Sequence, residues 1–79
     1  MNPQVKEVKV LDNYTLEFIF DNGEIGRFSM QPYLDYPVYE PLRDYNFFKT
    51  ARVGMGIVSW GEDIDMSPDT LYLDSRMVA

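Results

Sequence analysis

Between Tyr14 and Phe20, large apolar side chains occupy every second position: Tyr14, Leu16, Phe18 and Phe20 alternate with Thr15, Glu17 and Ile19. A period of two places those four on one face of a β-strand. Asp21-Asn22-Gly23 follows at once and carries the residue types that close hairpins. Together these features constrain the chain more than any other, because side-chain chemistry selects the register. A two-residue loop at Asn22-Gly23 would set Glu17 opposite Phe28 and Phe18 opposite Arg27. A three-residue loop, Asp21-Asn22-Gly23, sets Ile19 opposite Ile25, Glu17 opposite Arg27, Leu16 opposite Phe28 and Tyr14 opposite Met30. In that register apolar residues face each other and opposite charges meet. The three-residue loop is therefore expected, with Gly23 in the left-handed position that closes a type I turn with a bulge.

Upstream, Val5 to Leu11 is rich in valine and reads as a strand. Val8 and Val10 share a face but Val5 is out of phase, which calls for a bulge near Lys6-Glu7 or burial of both faces. Asp12-Asn13 is the turn into the next strand. Downstream, Pro32, Pro37 and Pro41 exclude a long regular helix. Short helical pieces are expected over Gln31–Asp35, Val38–Asp44 and Asn46–Lys49, with Pro32 and Pro41 in first turns. Leu42, Phe47 and Phe48 would dock them on the sheet. Ala51–Val53 and Ile57–Trp60 read as a second hairpin around Gly54-Met55-Gly56. Ser67-Pro68-Asp69 is a helix start: an N-cap, a first-turn proline and an acid facing the positive end of the dipole. Leu71, Tyr72 and Met77 would line the inner side of that helix. The expectation is one α+β domain over residues 1–79, made of an antiparallel β-meander, an irregular helical crossover, a second hairpin and a C-terminal helix.

Composition removes whole classes of chemistry. The 79 residues include no Cys and no His, which excludes disulfides, thiolate zinc sites, cysteine nucleophiles, Ser-His-Asp triads and imidazole ligands. Catalysis would have to run on carboxylates, Tyr, Lys, Arg or backbone donors. A chain this short buries only about 60% of its unfolded surface, so dimerisation would supply useful further burial. Thirteen acids against seven bases give a net charge of −6. Residues 61–79 contribute Glu62, Asp63, Asp65, Asp69 and Asp74 against Arg76 alone. This balance opposes nucleic-acid binding, which needs a basic face for the phosphates, and suits solubility or a basic partner. Met1-Asn2-Pro3-Gln4 lacks the apolar core of a signal peptide, and no apolar run approaches the roughly 20 residues that span a bilayer. Cytoplasmic residence away from membranes is expected, and no motif implies a cofactor.

Four features invite a functional reading. Glu62, Asp63 and Asp65 lie within four positions on an expected loop near Trp60, with Asp69 beyond; their oxygens suit Mg²⁺ or Ca²⁺, but the spacing lacks the ligand set and glycine of an EF-hand. A solvated loop leading into a helix, with Asp69 favoured by the dipole, is the expected reading. Gly54-Met55-Gly56 lacks both the Gly-Lys-Ser/Thr ending of a P-loop and the third glycine of a dinucleotide fingerprint, so a hairpin turn is the expectation. Tyr33, Tyr36, Tyr39 and Tyr45 cluster among the prolines and read as a loop pinned to the sheet by rings, or as a partner-binding surface. Trp60, the only tryptophan, reads as a core or pocket-edge residue.

Three blocks in this order carry a resemblance: Phe20-x-Asn22-Gly23-Glu24, then Pro41-Leu42-x-x-x-x-Phe47-Phe48, then Ile57-x-x-Trp60 followed by Asp65 and Ser67-Pro68-Asp69-x-Leu71-Tyr72. The chain resembles, over nearly its whole length, the uncharacterised bacterial family known as domain of unknown function 2442. The resemblance implies a compact α+β fold in a small cytoplasmic protein and supplies no activity. Similar domains occur alone or beside a helix-turn-helix segment, and their genes often neighbour that of another small protein, as in toxin–antitoxin pairs. Some relatives carry a molybdopterin-guanine dinucleotide biosynthesis label, which this chain, without a nucleotide-binding signature, does not support. No residues remain for a helix-turn-helix, so direct DNA binding is not carried across.

The leading expectation is thus an interaction or regulatory module whose partner is a small basic protein, the neighbouring gene product, met through Tyr33, Tyr36, Tyr39, Tyr45, Trp60, Glu62 and Asp63. The alternatives are a carboxylate- or metal-dependent enzyme using Glu62, Asp63 and Asp65, and a ligand-sensing domain with an aromatic pocket.

Overall fold

The computed structural model describes residues 2–78. Strand β1 (Val5–Leu11) pairs antiparallel with β2 (Thr15–Phe20), which pairs with β3 (Ile25–Ser29). The first hairpin has the register that side-chain matching selects: Ile19 faces Ile25, Glu17 faces Arg27 and Leu16 faces Phe28. Asp21-Asn22-Gly23 is the loop, Gly23 has φ of 89°, and Phe20 and Glu24 close it through a 2.9 Å backbone bond. Arg27 Nε lies 3.0 Å from Glu17 Oε2. The bulge in β1 falls between Val5 and Glu7, and it turns Val5 into the core while Lys6 and Glu7 stay exposed. Tyr14 departs from the expectation. It and Asn13 have left-handed backbones (φ 56° and 60°), so the ladder starts at Thr15. The Met30 N–H still donates to the Tyr14 carbonyl at 2.8 Å, which keeps the two as neighbours.

The proline-rich middle forms two 3-10 stretches, Gln31–Asp35 and Pro37–Arg43, and one turn of α-helix, α1 (Tyr45–Phe48). Pro32 sits in the first turn as expected, but Pro37 rather than Pro41 opens the second stretch, and Pro41 lies inside it. A short 3-10 run is a succession of tight turns, and proline suits turn positions better than the interior of an α-helix. Asp44 caps α1 by accepting from the Asn46 N–H at 3.0 Å.

The second hairpin joins β4 (Arg52–Gly54) to β5 (Ile57–Trp60). Its loop is shorter than the sequence suggests. Gly54 pairs with Ile57, which leaves Met55-Gly56 as a two-residue turn with φ of 53° and 80°. Positive φ at both positions is the hairpin geometry that matches strand twist. β5 continues into β6 (Ile64–Met66), a strand within the stretch read as an acidic loop. Ile64 and Met66 face inward and Asp65 outward, the alternation of a half-buried strand. α2 (Pro68–Asp74) follows, with Ser67 Oγ accepting from the Thr70 N–H at 3.3 Å. Met77 does not join the inner side of α2. The chain turns at Ser75, and β7 (Arg76–Met77) pairs with β3.

The result is α+β with two antiparallel sheets, β1-β2-β3-β7 and β4-β5-β6. They share one core in which Leu16, Phe18, Phe28, Phe48, Trp60 and Leu71 are almost wholly buried. Each such large apolar side chain contributes about 1.5–3 kcal/mol on burial. No helix among the described residues is long and apolar enough to cross a membrane.

Met55 is 95% exposed in a left-handed conformation that costs a non-glycine L-residue about 1–2 kcal/mol. Met55→Asn is expected to stabilise the protein by about 0.5–1 kcal/mol, visible as a higher urea midpoint at unchanged slope. Ser67→Ala removes the cap on α2 and is expected to cost about 1 kcal/mol in the same measurement.

Candidate functional site

The only tryptophan lies under a surface groove. Trp60, at the end of β5, has no accessible surface. Its ring stacks on Phe48 at 6.0 Å with planes 19° apart, and its indole N–H donates to the Phe48 carbonyl at 2.9 Å. The ring is thereby part of the core and its one donor is satisfied. Above it is an open groove of about 540 Å³, lined by Pro37, Val38 and Pro41 from the proline-rich segment, by the turn Gly61-Glu62-Asp63, and by Phe47 and Ile64. Gly61 has φ of 60°, and a Cβ there would come within 3.2 Å of the Phe47 ring. Glycine thus serves twice, reversing the chain between β5 and β6 and letting Phe47 approach the turn. Arg52 ties the turn to β4 by donating to the Gly61 carbonyl at 2.7 Å.

Of the four tyrosines in the middle segment, three come together. Tyr33 packs edge-on to Tyr36 at 5.8 Å and to Tyr39 at 6.2 Å, and on its other side it meets Phe28 at 5.2 Å. Tyr36 is 54% exposed and Val38 57%. With Pro37 they form a ridge that borders the Trp60 groove on one side and a second groove, holding Leu73 and Asp74, on the other. Tyr45 lies apart. It packs edge-on to Tyr14 at 5.4 Å and its hydroxyl donates to the Leu11 carbonyl at 3.1 Å, which pins α1 to the end of β1. Sequence clustering grouped it with the others because four tyrosines in one short segment give no sign of which sheet end each one meets.

The acidic residues separate in the same way. Glu62 and Asp63 are exposed in the groove wall, and Asp65 lies in β6 opposite Ser59, on the outer face. Asp69 is in the first turn of α2. The strand pairing of β6 thus divides the set that the sequence placed on one loop. Among the described residues no group of three or more carboxylates is disposed to hold a metal ion. The two ion pairs among the described residues are Arg27–Glu17 and Arg43–Asp35, and neither Glu62 nor Asp63 belongs to one there. Val38 and Ile64 are among the groove residues that the sequence reading did not single out. The available signal was an exposed valine between two prolines, and Ile64 alternating with Asp65 and Met66.

The groups with displaced titrations are tyrosines. Tyr33 is raised from 10.0 to about 12, chiefly because its hydroxyl donates to Asp74, with burial and the Asp74 charge adding to this. Tyr72 is raised by its hydrogen bond to Glu24 at 2.8 Å, with burial and the Glu24 charge adding. Burial first, then the Asp65 charge, raises Tyr39. A folded-state pKa above the unfolded one adds stability that is complete below pH 10 and is lost as pH rises through the folded value. Unfolding free energy is therefore expected to fall between about pH 10 and 12, and Tyr33→Phe should flatten that decline in denaturant titrations across the range.

No curated protein and no solved structure matches the chain. The family described as Protein of unknown function (DUF2442) matches residues 5–76, from the first strand to the last. The hairpin at Asn22-Gly23, the Phe47-Phe48 docking turn, Trp60 and the capped start of α2 all fall inside that span, and the chain belongs to this family.

Proposed function

We propose that this chain is a small cytoplasmic interaction or regulatory module whose partner is a small basic protein, held as an antitoxin holds its toxin. One observation carries the reading. The exposed ridge of Tyr36, Pro37 and Val38 lies beside Glu62 and Asp63, two carboxylates with no ion-pair partner among the described residues. An apolar and tyrosine-bearing centre with a charged margin is how protein interfaces are composed. The net charge of −6 favours encounter with a cationic partner and resists self-association. Tyr33 and Tyr39 back the ridge from beneath, and Trp60 supports the groove as a buried prop.

The product of the neighbouring gene is the partner to test. Co-expressed with it, the chain is expected to co-elute in size exclusion at micromolar concentration, and the complex should weaken as salt rises. Independent elution at low salt would remove the reading.

A further inference from the structure

Resting on the interaction reading, we propose that the groove over Trp60 is a seat for one lysine or arginine side chain of an extended basic segment. Its aliphatic stem would lie along Val38 and Phe47, and its cationic head would sit between Glu62 and Asp63. The groove offers two kinds of surface. Pro37, Val38, Pro41, Phe47 and Ile64 line it with hydrocarbon. Glu62 and Asp63 add two exposed carboxylates to the same lining. Long cationic side chains combine these surfaces in one residue, because the stem is apolar and the head keeps its water. A wholly apolar residue would leave both acids unused. A short cation would reach them without covering Val38, which is 57% exposed.

The groove is also preformed. Pro37 and Pro41 stiffen one part of the lining. The Gly61-Glu62-Asp63 turn is held by Arg52 on the Gly61 carbonyl and by the Gly61–Phe47 contact. Little ordering entropy then remains to be lost on binding. Arg52 is engaged by that carbonyl and is not part of the groove lining.

The test is an amide-shift titration of the ¹⁵N-labelled protein at pH 6 and low salt. The probes are tetralysine and its shorter homologue, tetra-2,4-diaminobutyrate, which has the same charge. Tetralysine is expected to shift the amides of Val38, Phe47 and residues 61–64. It should bind about fivefold tighter than the homologue, because each anchored side chain has two more methylenes partly covered. The double variant Glu62→Gln/Asp63→Asn should weaken both peptides about fivefold. Val38→Ser should erase the difference between them. Dispersed spectra of both variants will establish that they are folded. Equal affinities for the two peptides would overturn the proposal, as would shifts centred on Asp69 and Asp74. Concentration-dependent dimerisation that is lost in the double variant would also overturn it, by assigning the groove to a second copy of the chain. If the peptides miss the groove while the gene product still co-elutes, the interaction reading stands on another surface. If tetralysine occupies the groove and no complex forms, the seat stands and that reading falls.

Discussion

The stack of Trp60 on Phe48 joins the two halves of the molecule. Trp60 comes from the three-stranded sheet and Phe48 from the helical crossover, and Phe48 also meets Tyr14, at the turn of the larger sheet, at 5.0 Å. Strands of three and four residues cannot hold a sheet together unaided. The smaller sheet persists because Val58, Trp60, Ile64 and Met66 complete a core begun by the larger one. The indole N–H would be costly to bury unsatisfied, and the Phe48 carbonyl removes that cost while fixing the ring orientation. With no cysteine in the chain, no covalent tie could take over this role.

The surface follows from that junction. Because Trp60 fills the space where β5 meets α1, the Gly61-Glu62-Asp63 turn emerges directly above the core and the proline-rich ridge lines the same groove. No charged residue is buried among the described residues, so the carboxylates remain at the margin, where they keep most of their hydration. At protein interfaces in general, exposed charges of this kind act on encounter more than on affinity.

Much of the fold is legible in the sequence where local chemistry and tertiary packing agree. The Tyr14–Phe20 alternation, the Glu17–Arg27 pairing and the Ser67 cap each contain their own explanation, and the structure has all three, with the ladder itself starting at Thr15. The departures occur where packing decides. β6 is three residues long with an acid at its centre, so its alternation is too brief to separate from a loop. β7 exists only because Ser75 turns the chain back along β3, a contact with no local signature. Met55 occupies a position that usually belongs to asparagine or glycine, so the residue types alone extend the turn to Gly54. In the candidate site, the residue types were readable but their grouping was not. Glu62 and Asp63 share a wall, whereas Asp65 and Tyr45 are carried elsewhere by strand pairing and by the anchor to Leu11.

The perturbed groups belong to contacts that hold the fold together. Here the displaced groups are Tyr33, Tyr39 and Tyr72, and all three move upward, away from neutrality. Two of them owe this first to a hydroxyl bond with a carboxylate, and each bond fastens α2 to another part of the fold: Tyr33 to Asp74 and Tyr72 to Glu24. A tyrosine held neutral as a donor is a poor base and a poor nucleophile, but a good fastener. Titration shifts are thus spent on holding the terminal helix in place, and the Trp60 groove combines hydrocarbon with water-exposed carboxylates.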